Sequence, residues 1–165
     1  MSATRILRHL LMTHWQVRRA FPPSTLDAIE AAVKVSEAAH AGQVRFVVEG
    51  ALHTLPLLKG QTPRARAIEV FSLLRIWDTE HNNGVLIYLL LADRAVEIVA
   101  DRGIDARVTA DAWAGVCREM RDAFMHGRYE AGVVEGIRAL TRHLAAHFPA
   151  SSPGDNELPD RPVVL

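Results

Sequence analysis

The amino-acid sequence predicts an α/β protein with a small mixed β-sheet and helices on its faces, in the order α-α-β-α-β-β-α-α. Three short segments have the length and apolar pattern of strands: Gln43–Glu49, Gly84–Leu91 and Ala95–Ala100. A helical segment separates the first two strands, which predicts that they run parallel through a crossover connection. Only a short turn separates the second strand from the third, so these two are predicted to pair antiparallel.

The first segment, residues 1–20, predicts a basic amphipathic helix that precedes the domain. Its apolar side chains share one face, while the arginines lie mostly elsewhere. The apolar set is Ile6, Leu7, Leu10, Leu11 and Trp15. We expect this helix to pack on the domain or on a partner protein, with contact to a membrane surface as the alternative. Phe21-Pro22-Pro23 ends it, because proline cannot continue a helix.

The domain itself is predicted over residues 21–148. Its first helix begins at the capping residue Ser24 and ends near Ala41-Gly42, where glycine is favoured. A loop of undefined shape, Gly50–Gln61, follows the first strand. The next helix begins at Thr62-Pro63, a capping residue with proline at the first helical position, and runs to about Trp77.

Two amphipathic helices are predicted after the third strand. One begins after the capping residue Thr109 and ends at Gly127, and the other runs from Tyr129 to about His147. The remaining segment, residues 149–165, is rich in proline, serine and acidic residues. That composition predicts a disordered tail.

Size and composition restrict the possible function classes. The chain has 165 residues, of which 49% are hydrophobic and 23% charged, as in an ordinary globular domain. Its 19 basic and 19 acidic residues cancel, whereas a nucleic-acid binder usually has a basic excess, so no nucleic-acid partner is expected. The single Cys117 excludes an intrachain disulfide and a multi-cysteine zinc site.

No apolar run approaches the roughly 20 residues that a membrane-spanning helix needs. The longest run, Val85–Ala92, has the length of a strand. The N-terminal segment lacks the continuous apolar core and the cleavage site of a secretory signal. No transmembrane segment is therefore expected, and the predicted location is cytoplasmic.

The predicted hairpin brings two polar segments to one edge of the sheet, which we call the rim. The second strand begins after residues 78–83, and the third strand ends in residues 101–111. The start of one hairpin strand lies beside the end of the other, so both segments are expected at the rim. Their oxygen-bearing side chains are those of Asp78, Glu80, Asn82, Asn83, Asp101, Asp105 and Asp111.

Oxygen donors of this kind suit a hard divalent cation such as calcium or magnesium. The alternative interpretation is that they are ordinary solvated loop residues. An EF-hand is excluded, because Asn83 stands at the position of its glycine and Leu89 at the position of its bidentate glutamate.

An ordered set of short motifs resembles the TPM domain family, which includes thylakoid-lumen, photosystem II repair and receptor-modulator proteins. The resemblance covers about residues 24–148. The motifs are Asn82-Asn83-Gly84-Val85-Leu86-Ile87, Ala92-Asp93-Arg94, Val96-Glu97-Ile98, Arg102-Gly103-Ile104, and Phe124, Gly127, Tyr129, Gly132 and Gly136 in the C-terminal helices.

The resemblance implies an α/β/α sandwich with a divalent-cation site at the rim. Family members are described as acid phosphatases, as calcium binders, or as accessory and repair factors of membrane complexes. By position, Asn83, Gly103 and Asp111 match the family's asparagine, second glycine and downstream aspartate. Asp101 stands where the family has its first glycine and is a candidate replacement carboxylate. The family's Asn-Asp segment is replaced by Phe21-Pro22-Pro23.

Three other features of the sequence resemble binding or reactive sites. Arg102, beside the rim, is the best candidate for binding an anion. His143 and His147 have the spacing of helical zinc ligands, but no glutamate follows His143 and the sequence offers no third ligand. Cys117 lies on the apolar stripe of its helix and is expected to pack in the core.

The sequence therefore predicts a TPM-like accessory or binding domain with a weak calcium or magnesium site, whose partner is a membrane-associated protein or complex. One alternative is a metal-dependent phosphatase-like hydrolase, in which the cation polarises a phosphoryl oxygen. The other is a protein-interaction module that uses the N-terminal helix and the Gly50–Gln61 loop. The lack of an evident nucleophile favours binding over catalysis.

Overall fold

A computed structural model describes residues 2–150 and 156–165 of the chain. In these residues the helices are α1 Ala3–Leu11, α2 His14–Ala20, α3 Pro23–Glu37, α4 Thr54–Leu58, α5 Pro63–Leu73, α6 Arg102–Asp105, α7 Ala110–Met125 and α8 Tyr129–His147. The strands are β1 Gln43–Glu49, β2 Gly84–Leu90, β3 Ala95–Ala100 and β4 Val163–Val164.

The sheet has the order β3-β2-β1-β4 and is mixed, as predicted. Strands β1 and β2 run parallel, with Gln43 opposite Gly84, and α4 and α5 lie between them in the chain. Strands β2 and β3 pair antiparallel, with Val85 opposite Ala100. The two central strands are fully buried, which explains the continuous apolar sequence of β2.

Helices cover both faces of the sheet and make an α/β/α sandwich. Phe46 and Ile87 belong to the core on one face, together with apolar residues of α3, α7 and α8. Leu86 and Tyr88, the alternate positions of β2, belong to the core on the other face with residues of α4 and α5. Alternation of side chains along each strand divides the apolar residues between the two cores.

The prediction of one N-terminal helix is wrong, because the segment forms two helices. The chain breaks at Met12 and Thr13, and Thr13 then caps α2: its hydroxyl accepts from the Gln16 N–H, and the Gln16 side chain accepts from the Thr13 N–H. The predicted apolar face is not packed on the domain throughout, since Leu10 and Trp15 are 62% and 65% exposed.

Polar contacts attach α1 to the turn of the β2–β3 hairpin. The Arg5 guanidinium binds both carboxylate oxygens of Asp93, with its Nη2 atom 2.7 Å from Oδ2. The buried His9 ring lies with Nε2 3.1 Å from Asp93 Oδ1, and its Nδ1 accepts the N–H of Leu52. A charged anchor thus holds α1, while Ile6 of the predicted apolar face packs partly against the core beside α4 and α5.

The predicted disorder of the segment 149–165 is contradicted for residues 156–165, while residues 151–155 lie outside the described part of the chain. Gln43 Oε1 accepts the N–H groups of Glu157 and Leu158, and the Leu158 side chain is buried against the α4/α5 face. Val163 and Val164 then pair parallel with β1. A few apolar residues and an open sheet edge therefore outweigh the polar composition.

Within residues 2–150 and 156–165, none of the helices combines the length and the apolar character needed to cross a bilayer.

The anchor at Asp93 gives a prediction on stability. Burial alone raises the pKa of Asp93, but the neighbouring Arg5 and His9 side chains outweigh it and hold that pKa below its usual value. The stability that Asp93 adds is therefore present above its unfolded pKa and is lost as pH falls through the lower folded pKa. We expect Asp93→Asn to lower the free energy of unfolding in urea by about 2 kcal/mol at neutral pH.

The difference between Asp93→Asn and the parent protein should narrow below about pH 4. Asp78→Asn, at an exposed aspartate, is the control and should change stability by less than about 0.5 kcal/mol. Equal changes in the free energy of unfolding of the two variants would show that the anchor at Asp93 does not stabilise the fold.

Candidate functional site

Backbone hydrogen bonds bring the two polar segments of the rim together. The Asp101 N–H donates to the Gly84 carbonyl over 2.9 Å, which extends the β2–β3 pairing by one residue. The Gly103 N–H donates to the Asn82 carbonyl over 3.0 Å. The expected proximity of residues 78–83 and 101–111 is thus confirmed for 82–84 and 101–103.

The close approach at the rim requires glycine at position 103. A Cβ atom there would lie 2.6 Å from the Asn82 carbonyl oxygen and 2.9 Å from the His81 carbonyl oxygen. Both contacts are with backbone, which cannot swing away as a side chain can. Asn82 adopts the left-handed conformation, with φ of 50°, and so turns the chain into β2.

Most hydrogen-bonding groups of Asn83 bind neighbouring segments of the rim. Its N–H donates to the Thr79 hydroxyl, its carbonyl accepts from the Gln43 N–H, and its side-chain Nδ2 donates to the Ala41 carbonyl. The residue is only 4% exposed. Its Oδ1 atom is buried and has no hydrogen-bond partner in the described part of the chain.

Asp101 shows the same pattern on the neighbouring strand. It is 7% exposed, and its Oδ1 atom caps α6 by accepting the Arg102 N–H over 2.7 Å. The Oδ2 atom is buried and finds no hydrogen-bond partner among residues 2–150 and 156–165. A buried oxygen without a partner is costly, most of all when it belongs to a carboxylate. Both oxygens without partners belong to residues next to Gly84. Asn83 precedes Gly84 in the sequence, and Asp101 pairs with it across the two strands.

The other predicted ligands lie on the surface of the rim. Asp78, Glu80, Asn82, Asp105 and Asp111 are all exposed. In the described residues, no three side chains of His, Cys, Asp or Glu are grouped so that they could hold one metal ion. These four carboxylates and one amide therefore do not form a common cage, because the loops present them to solvent.

Arg102, the predicted anion-binding residue, is also exposed and follows Asp101 at the start of α6. Its backbone N–H is used by the Asp101 carboxylate. Its guanidinium belongs to none of the ion pairs formed within the described ranges. Anion binding by this side chain stays a prediction.

Two groups near the rim, the half-buried Glu37 and the buried His40, were not expected from the sequence. Burial is the main cause that raises the pKa of Glu37 to about 8, and the nearby Asp160 adds to it. The hydrogen bond from the Val44 N–H to Glu37 Oε1 acts in the opposite direction. Burial lowers the pKa of His40 to about 4, so this ring is neutral at pH 7. One signal was available for Glu37, because an acidic side chain is unfavourable in the last turn of a helix unless something else holds it there.

The C-terminal segment also reaches the rim. The Glu157 carboxylate accepts the Glu80 N–H over 2.9 Å, and Arg45 donates to the carbonyl groups of Pro159 and Arg161. The sequence offered no clue to this contact beyond the apolar Leu158 and Val163-Val164, which anchor the segment.

The crowding at residue 103 gives a second prediction. Gly103→Ala should destabilise the protein by about 1–3 kcal/mol, because the added Cβ must push two backbone segments apart. Gly115→Ala is the matched control: a Cβ there meets nothing nearer than the Arg118 guanidinium at 3.8 Å. It should be neutral or stabilising by up to about 1 kcal/mol. Urea unfolding measures both, and equal stability of the two variants would contradict the close approach.

The pKa of Glu37 gives a third prediction. A carboxyl group whose folded pKa is raised contributes stability that is complete below its unfolded pKa, and that contribution is lost as pH rises through about 8. Glu37→Gln keeps the oxygen that accepts from Val44 but cannot ionise. We expect the Tm of Glu37→Gln, relative to the Tm of the parent protein, to rise between about pH 6 and pH 9.

Exposed Glu119→Gln should show no such trend. A constant Tm difference between Glu37→Gln and the parent across this pH range would contradict the assignment.

Comparisons with known proteins place the chain in a family. The model of the TPM domain matches residues 18–143, most of the chain. The solution structure of the BA42 protein from the psychrophilic bacterium Bizionia argentinensis is similar, with 28% identity and a TM-score of 0.76, covering 86% of this chain and 93% of that one.

The N-terminal domain of a protein from P. gingivalis shares the fold at 16% identity, with a TM-score of 0.63, covering 79% of this chain and 82% of that one. Comparison with curated proteins finds no match. The family match over the whole α/β core, together with the rim motif, leads to one conclusion: this chain belongs to the TPM domain family.

Proposed function

We propose that this protein is an accessory or binding domain that holds a divalent cation weakly at the rim. The observation that carries the proposal is the pair of buried oxygens without hydrogen-bond partners in the described residues, Asn83 Oδ1 and Asp101 Oδ2. A bound cation would compensate buried oxygens of this kind.

The donor chemistry fits calcium or magnesium. Carboxylate, amide and peptide carbonyl oxygens are the ligands that hard cations take in proteins. The rim has donors of all three kinds: Asp101 Oδ2, Asn83 Oδ1 and the carbonyl groups of His81 and Asn82, which lie against Gly103. Calcium takes six to eight oxygen ligands, so water would have to complete this set.

The same donor set argues for low affinity. Only one carboxylate, that of Asp101, contributes a full negative charge, and affinity in such sites increases with the number of charged ligands. A cation held mainly by neutral oxygens is exchanged readily. This supports a role in sensing or stabilising rather than in activating water for hydrolysis.

The proposal gives a fourth prediction, on cation affinity. Asp101→Asn preserves the cap on Arg102 through its remaining side-chain oxygen but removes the charge and the Oδ2 ligand. We expect it to weaken calcium binding at least tenfold in calorimetry, since a charged ligand contributes more than about 1.4 kcal/mol.

Asp105→Asn is the matched control, because Asp105 follows on the same short helix and is exposed. It should leave the affinity unchanged within about twofold. An equal loss of calcium affinity in both variants would indicate that calcium responds only to the total negative charge of the rim. Unchanged binding in Asp101→Asn would refute Asp101 as a ligand.

A further inference from the structure

A large cleft lies at the end of the sheet opposite to the rim. It has a volume of about 960 Å³ and is open to solvent between α2, the C-terminal half of α7 and the β2–β3 turn. Four arginines line it: Arg19, Arg94, Arg118 and Arg121. We call it the arginine cleft.

The charge of the arginine cleft is not balanced by its own walls. All four arginines are exposed, and none of them takes part in an ion pair within 4 Å in the part of the chain that the structure describes. The lining contains one acidic residue, Asp122. Glu97 acts on Arg121 from β3, but its closest cation is Arg64, at 3.8 Å. In a chain of zero net charge, this concentration of positive charge is local.

Apolar side chains stand between the arginines. Met12, Trp15 and Met125 line the cleft, and Trp15 and Met125 are largely exposed. The Arg19 guanidinium lies over the Trp15 ring, 5.3 Å from its centroid, which keeps both side chains at the mouth of the cleft. Tryptophan, methionine and arginine are the residues enriched where proteins bind one another.

We propose that the arginine cleft binds an acidic segment of a partner protein, one that also carries apolar side chains. Carboxylates of the segment pair with the arginines, while its apolar residues cover Trp15 and Met125. The occupant must be narrow, because the surface is concave; a flat bilayer cannot enter it. The zero net charge of the chain favours a peptide over a nucleic acid, because nucleic-acid binders usually have a basic excess. The proposal is independent of the cation site at the rim.

Fluorescence anisotropy with a labelled peptide of about 14 residues tests the proposal, with leucine every third or fourth position and glutamate elsewhere. We expect micromolar binding by the full chain. Replacing every glutamate of the peptide by glutamine, or every leucine by serine, should weaken binding at least tenfold. Raising the salt concentration should weaken it too, because part of the attraction is between charges.

The double substitution Arg118→Gln with Arg121→Gln should reduce the affinity at least tenfold. Arg138→Gln with Arg142→Gln, two exposed arginines on α8, is the matched control and should leave it unchanged within about twofold. Trp15→Ala, at an exposed position, should weaken binding without lowering Tm, which separates a lost contact from lost folding.

Three results would overturn the proposal. The first is the absence of binding by the acidic peptide at millimolar concentration. The second is equal affinity for the glutamate and glutamine peptides or for the two double variants. The third is binding to phosphatidylglycerol vesicles or to single-stranded RNA in the absence of peptide binding, which would assign the cleft to a different class of partner.

Discussion

The close backbone contact between the start of β2 and the end of β3 is the constraint on which the candidate site depends. Gly103 permits it, and Gly84 permits the close approach of Ile76 to the start of β2. A Cβ at Gly84 would lie 2.0 Å from the Ile76 carbonyl oxygen, and one at Gly103 would strike two more carbonyl groups. No other residue fits at either position without a shift of the backbone. The pairs Asn83-Gly84 and Gly103-Ile104 of the motif therefore determine how closely the segments of the rim approach one another. Asn83 and Asp101 are buried as a result, and each keeps one oxygen that the protein does not satisfy.

The two ends of the sheet are thus chemically opposite. At the rim, backbone carbonyls and a buried carboxylate concentrate oxygen atoms, which are the donors that the proposed cation would use. At the hairpin turn, the Arg5–Asp93 anchor holds α1 in place, and α2 follows it to form one wall of the arginine cleft. The buried β1 and β2 separate these regions, so that one domain can present an oxygen-rich surface and a positive surface without either neutralising the other.

The three strands β1, β2 and β3 were predictable from the sequence because their signals are local. Apolar runs of strand length, a capping Thr62-Pro63 and the short Ala92–Arg94 turn determine strand direction, and the rim follows from it. The identity of the buried oxygens was not predictable, since exposure depends on how the loops pack. The break at Met12 and the ordering of residues 156–165 were also missed. The Thr13–Gln16 capping box and the apolar Val163-Val164 pair were present in the sequence, but tertiary contacts decided their effect.

The most direct test of the cation site is an X-ray diffraction measurement at long wavelength on crystals soaked in calcium chloride, where calcium scatters anomalously. The account predicts an anomalous peak at the rim, with Asp101 Oδ2 and Asn83 Oδ1 both within about 2.3–2.6 Å of the ion and water molecules filling the remaining positions. A calcium peak only at exposed carboxylates such as Asp78 or Glu80, with the two buried oxygens still without a ligand, would contradict it.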